Sequence, residues 1–145
     1  MRYQLLMISC LLLFATACTN QPQEKVEKAT TQEEESDKLH LNNGQKWTVN
    51  DETHIGMSNI QVLLANKTDS LNYDSLATKM EQETQYIIKN CDMVGKDHDQ
   101  LHLVLHPILT SIGEVKNGAD EASRENGVAA IEKNLSDYFE HFQTK

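Results

Sequence analysis

Long apolar runs are missing from this chain: the longest, Leu5 to Phe14, is about ten residues, half of what a membrane-spanning helix requires. Positive charge is also scarce, with 13 Lys and Arg against 22 Asp and Glu and a formal net charge of −9. A surface this acidic repels phosphate backbones and anionic headgroups, which excludes nucleic acid and anionic lipid as natural partners. The glycines form no phosphate-cradling loop, and no internal repeat is visible. No C-x-x-C-H is present for covalent haem attachment. No Ser/His/Asp or paired-carboxylate arrangement stands out, so the expectation is a protein that is not an enzyme.

The apolar run stands in "MRYQLLMISCLLLFATAC", where Arg2 supplies a short basic n-region and small residues precede Cys18. This is the layout of a secretory signal. Ala15-Thr16-Ala17-Cys18 resembles the lipobox of bacterial lipoproteins, with Ala15 where a leucine is usual. The resemblance implies a signal peptide over 1–17, cleavage before Cys18 and diacylation of that thiol. Several buried acyl chains, at about 0.8 kcal/mol per methylene, make such an anchor effectively permanent. Thr19 and Asn20 follow the lipid cysteine in place of the aspartate that retains enteric lipoproteins at the inner membrane, so an outer-membrane address in the cell envelope is favoured. Cys10 leaves with the signal and Cys18 is acylated, which leaves Cys91 as the one thiol and excludes an intramolecular disulfide. The mature chain carries 12 basic and 22 acidic residues, a formal charge of −10.

Residues 18–38 hold almost no large apolar side chain and cannot bury enough surface to fold, so they read as a flexible acidic tether. Residues 39–145 read as one all-α domain, an up-down-up-down four-helix bundle with a short extended N-terminal arm, expected to be a monomer. The arm is "LHLNNGQKWTVND", an extended segment or hairpin around Asn42-Asn43-Gly44. Asp51 is the expected N-cap of the first helix, with Ile55, Ile60, Val62, Leu63 and Leu64 as its apolar positions. The second starts near Asn72, and Tyr73, Leu76, Ala77, Met80, Thr84, Ile87, Cys91 and Val94 form an apolar stripe closed by Gly95. Asp97 caps the third, with Leu101, Val104, Leu105, Ile108, Ile112 and Val115 facing the core and Pro107 predicting a kink. The fourth runs from about Asp120 to Phe142, its first half weakened by Gly127.

Antiparallel helices bring the start of the first, the end of the second, the start of the third and the end of the fourth to one end of the bundle. His54, Met57, Cys91, Met93, His98, His102 and His141 all fall at that end, and His40 enters there from the arm. With His98 set at zero, the apolar face of the third helix spans roughly 240° through 20°, which puts His102 at its edge near 40° and His106 farther out near 80°. His98 and His102, helped by Cys91 and Met93, are therefore the candidate ligands. Imidazole with soft sulfur suits copper or zinc. Each residue also has a structural reading: Cys91 as an inert core thiol, Met57 and Met93 as packing, the histidines as surface residues.

"CDMVGKDHDQLHLVLHP" together with "LNNGQKWTVND" is similar to a group of small bacterial lipoproteins with an N-G-x-K-W stretch and a C-x-M-x-G-x-x-H-D-x-L-H motif, for which the resemblance implies no activity. The helix layout also resembles small periplasmic four-helix b-type cytochromes, which would make Met57 and His141 haem ligands. Three functions stay open: an envelope lipoprotein binding copper or zinc, a non-covalent haem b protein, or an acidic interaction lipoprotein that docks another envelope protein and needs no cofactor.

Overall fold

The computed structural model describes residues 38–68 and 72–145. The signal, Cys18 and the tether up to Asp37 lie outside the described residues. Four helices, α1 (Asp51–Ala65), α2 (Tyr73–Asn90), α3 (Lys96–Asn117) and α4 (Glu121–His141), are flanked by β1 (Trp47–Thr48) and β2 (Phe142–Gln143). The helices form the expected all-α, up-down-up-down bundle. The chain-adjacent pairs pack most extensively, α3 with α4 above all, and α1 against α4 completes the ring.

Local chemistry sets the helix starts. The Asn72 side chain accepts the Ser75 N–H at 2.8 Å, and Asp120 accepts both the N–H and the hydroxyl of Ser123 at 2.8 and 2.6 Å. Each satisfies a donor that the first turn leaves open. The cap of α1 is Asn50 rather than Asp51, and that of α3 is Gly95 rather than Asp97. Gly95, at φ +76°, turns the chain into α3. Asp97 is thereby freed for another partner: its Oδ2 accepts the Thr48 N–H of the arm at 3.0 Å.

The α2 stripe is buried as its periodicity predicts through Leu76, Ala77, Met80, Thr84 and Ile87, but the helix stops at Asn90. Cys91 is consequently half-buried, and Val94 is 85 % exposed in the loop. On α1 the inward face is Thr53, Gly56, Met57, Ile60 and Leu64, whereas Ile55 and Val62 point outward. Gly56 is there because α2 lies close: a Cβ would sit 2.4 Å from Ile87 Cγ1. α3 continues through Pro107 without interruption, and Val104, Leu105, Ile108 and Ile112 bury both halves of it in the same core. Gly127, a weak point by propensity, lies where α4 crosses α3, with a Cβ position 3.0 Å from the Ser111 carbonyl and Val115.

The arm turns at Asn42–Gln45, joined by reciprocal backbone bonds of 2.8 and 3.0 Å with Asn43 and Gly44 both at positive φ. These bonds make Asn42 and Gln45 a single antiparallel bridge, a minimal hairpin whose pairing goes no further along the arm. Instead Trp47 and Thr48 pair in parallel with Phe142 and Gln143, and the Val49 N–H reaches the Gln143 carbonyl at 2.9 Å. Trp47, Val49 and Phe142 are buried together in the core.

Candidate metal site

The start of α1, the end of α2, the start of α3 and the end of α4 do meet at one end. Asn50 Nδ2 donates to the Asn90 carbonyl at 2.9 Å, Asp97 holds Thr48, and His54 Nδ1 lies 3.2 Å from the Tyr138 hydroxyl. The ligand-type residues share this end without sharing a point. They divide into separate settings.

The first is a ladder on α3. The rings of His98 and His102 have centroids 4.3 Å apart at an interplanar angle of 58°, and those of His102 and His106 are stacked 4.7 Å apart at 18°. A spacing of four residues advances the helix by about 400°, so successive rings climb along one face with a slow drift. The drift follows the burial: His98 and His102 are half-buried and His106 is exposed. His106 lies out toward solvent as its angle predicts, yet its ring still rests on His102, a contact that angular placement from the core did not suggest. Burial, then the neighbouring His98 and His106, push the His102 pKa below its usual 6.5, with Asp99 pulling the other way. A neutral imidazole is the ligand form.

Cys91 and Met93, expected beside these histidines, are half-buried and pack against the hydrophobic core. Among the described residues, no three His, Cys, Asp or Glu side chains converge on one point suited to a metal ion. What the fold brings together is a row of imidazole pairs.

The second setting is His54, whose ring meets Phe139 edge-on at 5.7 Å and reaches the buried Tyr138 hydroxyl. Burial drives the Tyr138 phenol well above its ordinary pKa, so it stays protonated and pairs as a neutral group. The third is His40, edge-on to Trp47, whose indole N–H donates to the His40 carbonyl. The His40 N–H in turn donates to Gln100 Oε1 at 3.1 Å, and Gln100 is buried at 3 % exposure. Gln100 and Asp97 thus fasten the arm beside the ladder, roles missed by an apolar stripe that leaves Gln100 out and by a capping role for Asp97. His141 has its Nδ1 2.8 Å from the Asp137 carbonyl, and Met57 is wholly buried. A haem reaching the Met57 sulfur would have to displace the packed core around it.

Comparison with family models, with characterised proteins and with solved structures finds no match.

Proposed function

We propose that this chain is an envelope lipoprotein, anchored through Cys18, whose bundle holds a copper or zinc ion on the α3 histidines. The observation that supports it is the 4.3 Å approach of the His98 and His102 rings on successive turns of one helix. Two imidazoles so placed supply two nitrogen donors to one ion after small side-chain rotations. The depressed His102 pKa keeps that ring in its ligand form near neutral pH. Asp99, close enough to act on His102, offers compensating charge beside the cation. Cys91 and Met93 remain candidate sulfur donors from the adjoining loop. Haem b through Met57 and His141 is disfavoured by the filled core. The reading as a docking bundle draws on the exposed Val94, Ile55 and Ile88.

Titration of the purified full-length chain, carrying no histidine tag, with Cu(I) and Zn(II) decides the metal reading. Wild type is expected to bind one ion, and the His98→Ala/His102→Ala double variant is expected to lose at least tenfold in affinity. Equal affinity in the two proteins overturns it. Anchoring is tested separately by Cys18→Ser, which is expected to abolish acyl incorporation and leave the signal unprocessed. Acylation and signal processing of that variant as in wild type reject the lipobox.

A further inference from the structure

The third ring of the ladder, His106, has no part in that two-imidazole site, and its position gives it a different one. The three rings never meet at a common point, but they are joined in sequence, His98 to His102 at 4.3 Å and His102 to His106 at 4.7 Å. The burial grades outward along the same row, from half-buried His98 and His102 to exposed His106. We infer that the ladder is an exit path for the metal: two overlapping two-imidazole chelates, an inner one of His98 and His102 and an outer one of His102 and His106, between which the ion steps toward solvent.

The inference rests on the metal reading above and adds direction and kinetics to it. With zinc–nitrogen bonds of 2.0–2.1 Å and a tetrahedral angle, two ligating nitrogens stand about 3.3 Å apart. Neighbouring rings at the observed spacings reach that separation by tilting toward each other. His102 belongs to both pairs, so its bond to the ion need not break during the step. As the His98 nitrogen leaves, the His106 nitrogen takes its place, and the ion is never reduced to a single protein ligand. Without His106, the ion must shed His98 with only water to replace it, which raises the barrier to departure. The outer chelate also lies where an acceptor can reach it, because His106 is exposed. No redox change or proton source is required, since one neutral imidazole replaces another.

The test is the transfer of Zn(II) from the loaded full-length chain to an excess of a coloured zinc chelator, followed by stopped-flow absorbance, in wild type, His106→Ala and His98→Ala. His106 is exposed, so its replacement is expected to leave the core intact, which an unchanged circular dichroism spectrum checks. His106→Ala is expected to keep the equilibrium affinity within about threefold while slowing transfer about tenfold, which corresponds to roughly 1.4 kcal/mol of barrier. His98→Ala is expected to weaken binding and to speed release, because the outer pair alone remains. Wild-type transfer rates in His106→Ala overturn the exit path while leaving the His98–His102 site standing. Loss of binding in His106→Ala also overturns it, by making that residue a primary ligand. A wild-type chain that binds no Zn(II) overturns the exit path, and one that binds neither Zn(II) nor Cu(I) overturns the metal reading with it.

Discussion

His102 touches an imidazole on either side, and its protonation is where the site's chemistry is most directly measured. Burial is the largest cause of its lowered pKa, and His98 and His106 add to it. Folding therefore disfavours the charged ring: between the folded value and 6.5 the unfolded chain binds more protons, so stability rises with pH across that window and is level above it. Its partial exposure keeps this contribution small. Proton-detected titration of the His102 ring is expected to give a midpoint below 6.5 in the metal-free protein. In the His98→Ala/His106→Ala variant it moves upward but stays short of 6.5, because burial remains. A midpoint at or above 6.5 in wild type contradicts the ladder geometry. The i, i+4 spacing made the His98–His102 pair legible in the sequence. The His106 contact was not, because angles measured from the core say which residues face inward and not which outer side chains lie on one another. The separate settings of His54 and His40 were equally hidden: topology assigns an end of the bundle, whereas Tyr138, Phe139 and Trp47 decide where each ring settles.

Helix identity came through in the sequence because apolar residues recur with the helical period, most clearly in α2 and α3. Boundaries were less legible where capping competed with tertiary bonding. Asp97 looks like an N-cap, but its carboxylate is spent on the Thr48 N–H and Gly95 takes the terminal position. On α1, Gly56 and Thr53 fill inward positions that hydrophobicity alone gives to Ile55 and Val62, since only a glycine lets Ile87 come so close. Gly127 carries the sharpest prediction at this scale. By propensity, Gly127→Ala should stabilise α4 by about 1 kcal/mol. The added Cβ would meet the Ser111 carbonyl oxygen, the Val115 N and the Val115 Cγ2 at 3.0 Å, and the first two are backbone atoms that cannot rotate away. Overpacking of this kind costs about 1–3 kcal/mol, so the net expectation is destabilisation, read as a lower urea midpoint at unchanged slope. A raised midpoint would mean that α3 and α4 separate easily. The Asp97→Asn variant provides a second check: losing the charge on the bond to Thr48 is expected to speed amide exchange at Thr48 and leave exchange in the middle of α3 unchanged.

Both termini of the described domain meet at the end of the bundle that carries the histidine ladder, which determines how the whole molecule is held. β1 pairs with β2, Lys46 Nζ donates to the Phe139 carbonyl at 2.6 Å, and Gln100 Nε2 donates to the Lys38 carbonyl at 3.4 Å. Lys38, the first described residue, therefore lies at the ladder end of the bundle, not at the α1–α2 and α3–α4 turns. The arm is part of the core and not an appendage, because Trp47 and Val49 are buried at 4 % and 1 % exposure against Phe142. The ion pairs of the described residues, such as Lys67–Glu132 and Arg124–Asp74, lie on the surface and contribute little each. Apolar burial holds the domain together, and its whole described core lies between Trp47 and Phe142. The segment from Lys38 to Lys145 is accordingly expected to unfold in one cooperative, helix-rich transition by circular dichroism. A chain starting at Asn50 loses two large buried side chains, worth about 1.5–3 kcal/mol each, and leaves the edge of β2 unpaired. Its urea midpoint is expected to fall steeply, with Phe142 and Tyr138 newly open to solvent and dye binding. If the shorter chain matches the longer one in stability, the β1–β2 pairing is incidental to the fold.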